Sequence, residues 1–141
     1  KSIKVIIRPS KEIRWDKSYA VYRASGRSGY SYLGGGWLNG GVHFSSREFG
    51  DFVIMQDTES PTIKATAVNS YIARFKIRDN LSGIDKIEAT INGKWLLMHY
   101  DPKISTIWSE QLNKSTPLKG TFRLVVTDNA GNESTYTKEI Q

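Results

Sequence analysis

Apolar and polar residues alternate with a period of two along much of the second half of this chain. In residues 71–78 every second side chain is apolar, and Arg74, Lys76 and Arg78 fall between them. Ile84–Ile91 repeats the pattern. Because a period of two places alternate side chains on opposite faces of a strand, we predict two strands, each with one buried face. The buried set predicted for the first strand is Tyr71, Ala73, Phe75 and Ile77.

Turn signals separate these runs from further strands. Asn92-Gly93 lies between Ile91 and the run 94–100, and such a pair favours a type I′ hairpin. Asp101-Pro102-Lys103 predicts a second turn, after which a polar loop runs to Lys119-Gly120. The further predicted strands are 104–108, 121–127 and 136–140. About seven short strands in roughly 80 residues are typical of an immunoglobulin-like sandwich.

The first half of the chain is less regular and rich in glycine. Its predicted strands are 3–7, 18–23, 30–33, 42–46 and 49–55, with the glycines 34–36 and 40–41 between them. We therefore predict an all-β fold: a small β unit at 1–56, packed against an immunoglobulin-like β-sandwich at 57–141. Pro61 ends strand pairing and places the boundary at 57–61.

Composition narrows the possible functions. There is no cysteine, so neither a disulfide framework nor a thiol nucleophile is available. The net charge is +6, and residues 1–56 carry +5 of it through singly spaced side chains that indicate a solvated face. No motif predicts nucleic-acid binding, and no apolar stretch approaches the roughly 20 residues of a bilayer span. Because the chain begins at Lys1, we expect a mature protein or part of a longer one.

Three acidic turn motifs contain the candidate metal-binding residues. They begin at Asp57, Asp79 and Asp128, and Asn80, Asn129 and Asn132 add carbonyl oxygens. Calcium takes six to eight oxygen ligands, which loops at one end of a sandwich could supply. Aspartate and asparagine also begin turns by bonding their own backbone, so a purely structural role is the alternative. We therefore assign no metal ligand and no cofactor.

A catalytic site is not predicted. The two histidines, His43 and His99, stand alone in different halves, and no Gly-x-Ser-x-Gly segment occurs. The glycines at 26–29 and 34–36 lack the helix and Lys-Ser/Thr pair of a phosphate loop, so they indicate hairpin turns. An overlooked enzyme would need converging carboxylates, or a carboxylate beside a histidine; the carboxylates considered are Asp16, Glu48, Asp51, Asp85 and Glu88.

Aromatic side chains offer a binding alternative. Exposed rings could stack on sugars, whereas buried rings would fill the core. The candidates are Trp37, Trp95, Trp108, Tyr30, Tyr32 and Tyr100. Exposure of Trp37 or Trp95 would favour carbohydrate or peptidoglycan recognition.

Six segments carry a recognisable combination of motifs: 49–58, Pro61-Thr62-Ile63, 79–84, Asn92-Gly93-Lys94-Trp95, 97–101 and 127–132. Together they resemble C-terminal immunoglobulin-like modules of Bacteroidetes envelope proteins. Such modules often follow a lysostaphin-type zinc endopeptidase domain that cleaves peptidoglycan. Neither His43 nor His99 matches the His-x-x-x-Asp or His-x-His zinc motifs of those enzymes, so no ligand is transferred.

The resemblance implies a non-catalytic spacer, positioning or binding region of a Gram-negative cell-envelope protein. It implies an extracytoplasmic location and an attached peptidase domain outside this chain. Peptidoglycan or another envelope glycan is the expected partner. An adhesive glycan-binding module and a calcium-stabilised structural sandwich stay open as alternatives.

Overall fold

The fold is all-β, as predicted, in the computed structural model, which describes residues 1–111 and 115–141. Within those residues there is no α-helix, and a single 3₁₀ turn spans Gly26–Ser28. No helix in them has the length and apolar character of a bilayer span. Chain contacts divide the fold into two units, Lys1–Thr58 and Glu59–Gln141.

The first unit contains two three-stranded antiparallel sheets. One sheet has the order β1-β5-β4 and the other β3-β2-β6. Phe44 and Phe52 meet edge to face at 5.0 Å between ring centroids, within a small core that includes Val21 and Val42. The strands are β1 (Ile3–Ile7), β2 (Tyr19–Ala24), β3 (Tyr30–Gly34), β4 (Gly36–Leu38), β5 (Gly41–Ser46) and β6 (Phe52–Gln56).

The second unit contains two four-stranded antiparallel sheets. One has the order β11-β12-β8-β7 and the other β10-β9-β13-β14. The strands are β7 (Thr62–Val68), β8 (Ala73–Arg78), β9 (Ile84–Ile91), β10 (Lys94–Trp95), β11 (Leu97–Asp101), β12 (Thr106–Glu110), β13 (Gly120–Asp128) and β14 (Glu133–Ile140).

The two sheets of the second unit pack face to face. Phe75 of β8 and Phe122 of β13 stack with their ring centroids 5.6 Å apart, and Tyr136 of β14 meets Phe75 edge on. The alternation read from the sequence is the reason: Ala73, Phe75 and Ile77 are buried, and the residues between them are exposed. The hydrophobic core therefore lies between the sheets.

The predicted hairpin at Asn92-Gly93 is confirmed. Asn92 has φ 50° and Gly93 has φ 77°, and Lys94 pairs with Ile91 across the turn. Both angles lie in the left-handed region that asparagine and glycine tolerate best, which is why this dipeptide sets the register of β9 and β10.

Several local predictions were wrong. The strand predicted from Ile104 begins only at Thr106, because Ile104 lies in the preceding turn. Tyr71 is 82% exposed and precedes β8, because the Asn69 carboxamide accepts hydrogen bonds from the amides of Tyr71 and Ile72 in a turn. The run 94–100 is not one strand: the buried Leu96 separates β10 from β11, which belong to different sheets. Gly36 begins strand β4, where only turn glycines were predicted.

The loop predicted between β12 and β13 is described only in part. Gln111 and residues 115–119 lie outside any strand, as expected. The prediction for residues 112–114 lies outside the described residues. Ser70 accepts a backbone hydrogen bond from Leu118, which brings this loop to the start of β8.

Candidate functional site

A mostly apolar cleft lies in the second unit beside Trp95. Its volume is about 390 Å³, within the roughly 300–1,000 Å³ range of small-ligand sites. Leu97 and Pro117 contribute apolar walls, and Lys94 and Glu110 bring charges to the lining. Trp95 is 67% exposed, so most of its indole surface remains available to a ligand.

The hairpin explains why Trp95 is exposed. β10 is only two residues long, and Trp95 pairs with Thr90 at the edge of its sheet. The next residue, Leu96, is 8% exposed and donates its amide to the Ala89 carbonyl oxygen. Because the chain turns inward at Leu96, the large ring of the preceding residue is left on the surface.

Side-chain amides hold the walls of the cleft in place. The Asn92 carboxamide donates to the Lys119 carbonyl oxygen at 3.1 Å and accepts from the Thr121 amide at 2.9 Å. The Gln111 carboxamide donates to the Thr116 carbonyl oxygen. Because these hydrogen bonds already fix the walls of the cleft, ligand binding costs little conformational entropy.

An imidazole–carboxylate pair lies next to the cleft. Nε2 of His99 and Oε2 of Glu110 are hydrogen-bonded, and the His99 ring stacks on Trp108 with centroids 5.6 Å apart. Both members of the pair are about half exposed. In the described part of the chain, no hydroxyl group is hydrogen-bonded to either member.

Sequence reasoning missed this pair. It predicted His99 on a strand but did not consider Glu110 as a partner. Antiparallel pairing of β11 with β12 aligns His99 with Trp108 and Leu97 with Glu110, which makes His99 and Glu110 diagonal neighbours. The predicted turn at 101–103 could not have identified the pair, because the observed turn extends to Ser105 and β12 begins only at Thr106.

Asp79 and Asp128 meet at one end of the second unit. A carboxylate oxygen of each lies within 4.8 Å of one on the other residue, and Asp128 is completely buried. Asp128 accepts from the amides of Ala130 and Asn132 at 2.9 and 2.8 Å, and from the Asn132 side chain. Asp79 accepts from the amides of Leu81 and Gly83. These are the backbone bonds of the predicted Asx turns, formed by an acidic pair that could also hold a cation.

Asp57, the third predicted turn residue, belongs to the first unit. It is 2% exposed and follows directly after β6, where its amide donates to the Ser18 carbonyl oxygen at 2.9 Å. Within the second unit, the calcium hypothesis therefore depends on Asp79 and Asp128.

The other aromatic candidates differ in exposure. Trp37 is half-buried and stacks on Trp15 at 6.5 Å, so it borders the core of the first unit. Tyr30 and Tyr32 on β3 are 52% and 40% exposed. Tyr100 is 37% exposed, and partial desolvation raises the pKa of its phenol. Trp95 is the most exposed tryptophan of those named from the sequence.

The remaining polar candidates make local contacts. His43 on β5 donates from Nε2 to the Leu38 carbonyl oxygen at 3.1 Å. Glu48 forms an ion pair with Arg23 at 2.8 Å. Hydrogen bonds from the Ser18 hydroxyl and amide lower the pKa of Asp16. Asp85 and Glu88 are exposed on β9.

No protein-family model matches this chain, and no curated protein sequence does.

Proposed function

We propose that the second unit is an immunoglobulin-like sandwich. In such a domain the first, second, fifth and fourth strands form one sheet, and the seventh, sixth and third form the other, extended in some members by an extra strand after the third. Here β7, β8, β12 and β11 form one sheet, and β14, β13, β9 and the short β10 form the other. This strand order, with the core between the sheets, supports the proposal.

The role that fits these features is that of a non-catalytic accessory region of a bacterial cell-envelope protein. The resemblance of residues 49–141 to modules of that kind supports an extracytoplasmic location and an attached peptidoglycan endopeptidase domain. On this proposal the chain holds or guides the envelope polymer, and the cleavage chemistry belongs to the attached domain.

Exposure of Trp95 at the mouth of the apolar cleft is the observation that carries a binding role. Burying an aromatic ring of this size would stabilise the fold, so leaving it 67% exposed beside a cleft of about 390 Å³ favours contact with a ligand. The C–H face of a sugar ring stacks on an indole, while Lys94 and Glu110 provide polar groups for hydroxyls and amides. The proposed ligand is a segment of the glycan strand of peptidoglycan.

Titration calorimetry with soluble, peptide-free peptidoglycan glycan fragments tests this role. Trp95→Ala is expected to weaken binding by about tenfold or more, since loss of one aromatic stack and its buried area costs on the order of 1.4 kcal/mol. Tyr71→Ala is the matched control, because Tyr71 is an exposed aromatic residue of the same unit that does not line the cleft. The control variant should bind as the unmodified chain does.

Equal binding by the Trp95→Ala variant and the unmodified chain would contradict the cleft as the glycan site. Equal loss in both variants, with unfolding curves unchanged, would also contradict it, because binding would then depend on exposed rings in general.

A calcium-stabilised structural sandwich is the second candidate function. The proximity of the Asp79 and Asp128 carboxylates favours it, because neighbouring negative charges repel unless donors or a cation compensate them. The amide donors of the two turns supply part of that compensation.

A further inference from the structure

Four basic side chains form a continuous patch on one face of the second unit. They are Lys64, Arg74, Lys76 and Arg78, all exposed, and we call them the basic face. Arg74, Lys76 and Arg78 occupy alternate positions of β8, which spaces them by roughly 7 Å. Lys64 of β7 is the register partner of Lys76, so the patch spans two neighbouring strands.

This arrangement works against the stability of the fold. Like charges placed directly opposite on antiparallel strands repel, and Lys64 and Lys76 are such a pair. In residues 1–111 and 115–141 none of the four side chains takes part in an ion pair. Lys76 donates only to the Ile104 carbonyl oxygen, at 3.1 Å. Clustered charge that is left uncompensated by the chain indicates a role outside folding.

The opposite sheet does not repeat the pattern. Its outward-facing positions mix signs: Lys86 and Arg123 alternate with Glu88, Glu133 and Glu139. Residues 59–141 hold eleven basic and nine acidic residues. Four of the basic side chains are nevertheless neighbours on β7 and β8, whereas the other two strands of that sheet carry Asp101 and Glu110. A concentrated patch attracts an anionic partner far more strongly than the net charge indicates.

The neighbours of the basic face indicate the kind of anion. A depression of about 410 Å³ is lined by Lys64, Lys76 and Arg78 together with the hydroxyl-bearing Thr62 and Thr66. Threonines, rather than a row of rings, flank Lys64 on β7. A single-stranded nucleic acid is usually held by successive aromatic platforms, which these two strands lack.

One aromatic ring does adjoin the patch. Trp108 of β12 is the register partner of Arg74, is half-buried, and stacks on His99 of β11 on its other side. Regularly spaced cations with hydroxyl groups between them suit an extended chain of sugars that carries repeated carboxylates.

We propose that the basic face binds a linear acidic polysaccharide, through charge pairing of its carboxylates with Lys64, Arg74, Lys76 and Arg78. The site is separate from the Trp95 cleft, and it stands on the register and charge of β7 and β8 alone. Repulsion between Lys64 and Lys76 lowers the stability of the free chain. The carboxylates of a bound polymer would reduce that repulsion, which adds to the affinity for the polymer.

Binding of the whole chain to polygalacturonate, measured by calorimetry at low and at physiological salt, tests the proposal. The double variant Lys64→Gln/Lys76→Gln is expected to lose about tenfold or more in affinity. The control Lys86→Gln/Arg123→Gln removes the same charge from the opposite sheet and should keep the original affinity within about twofold. Trp95→Ala should also bind the polymer normally, which separates this site from the cleft.

Thermal unfolding provides the second readout. Neutralising Lys64 and Lys76 should raise the melting temperature relative to the control variant by about 2 °C, because a repulsive pair is removed. Equal loss of affinity in both double variants would overturn the proposal, since binding would then follow net charge alone. Tighter binding of oligothymidylate or of anionic phospholipid vesicles than of polygalacturonate, abolished by the same Lys64 and Lys76 changes, would also overturn it.

Discussion

Single aspartates close two turns of the second unit. Asp128 is completely buried, and its carboxylate accepts three hydrogen bonds, from the Ala130 amide and from the amide and side chain of Asn132. Asp79 holds the amides of Leu81 and Gly83 in the same manner. Because the acceptor is charged and the donors are fixed in the turn, these bonds are stronger than ordinary neutral ones.

Asp128→Ala is expected to lower the free energy of unfolding of the second unit by about 2–4 kcal/mol, because buried donors lose their acceptor. Chemical unfolding in chelator and in calcium measures the change. Asp85→Ala, at an exposed position of β9, is the control and should change stability by less than about 0.5 kcal/mol.

The comparison of the two solutions separates the roles of the carboxylate. A similar loss in chelator and in calcium is expected if Asp128 acts through its turn. Two results would instead show that the carboxylate acts through a bound cation. The Asp128→Ala variant would lose stability only in calcium, and the melting temperature of the unmodified chain would depend on calcium.

The Asp79 and Asp128 turns show which features of individual residues can be predicted from the sequence. Both motifs have an aspartate followed by asparagine, with glycine two or three positions after the asparagine, so both turns could be predicted without tertiary information. The exposure of Tyr71 could not, because alternation alone places it in the core. A ring at the start of an alternating run is buried only if the paired strand already includes it. Here the turn closed by Asn69 holds Tyr71, so β8 begins after it.

The β9–β10 hairpin determines where the cleft lies. Its turn fixes the register, and the short β10 ends at Trp95 before the chain moves to the other sheet as β11. The turn itself was predictable from Asn92-Gly93. The change of sheet was not, because Trp95, Leu96, Leu97 and Met98 form an apolar run without alternation, and such a run fits one buried strand as well as two.

Gly93→Ala should destabilise the second unit by about 1–2 kcal/mol, since a Cβ is disfavoured at φ 77°. Apart from Gly93 and its two chain neighbours, no heavy atom of the described residues lies within 4 Å of the added Cβ, so the expected loss comes from backbone conformation. Urea unfolding measures it, with Gly93→Asn as the control that tolerates the left-handed region better. If alanine and asparagine cost the same, the positive φ would not be what the turn requires.

Across the whole molecule, the number of charges in each half of the sequence does not show where charged side chains cluster. The sequence places most of the net charge before residue 57, whereas the structure shows a basic face on a nearly neutral unit. Composition records how many charges there are, and only strand register shows which of them are neighbours. The same holds for His99 and Glu110, which pairing of β11 and β12 brings together.

The proposed role as a non-catalytic binding region is tested most directly by incubating the whole chain with purified peptidoglycan sacculi. Bound protein and soluble fragments released from the sacculi are measured in the same samples. We expect saturable sedimentation with the polymer, reduced in the Trp95→Ala variant, with no release of fragments over time. Failure to sediment with the sacculi, or release of fragments by the purified chain alone, would contradict the proposed role.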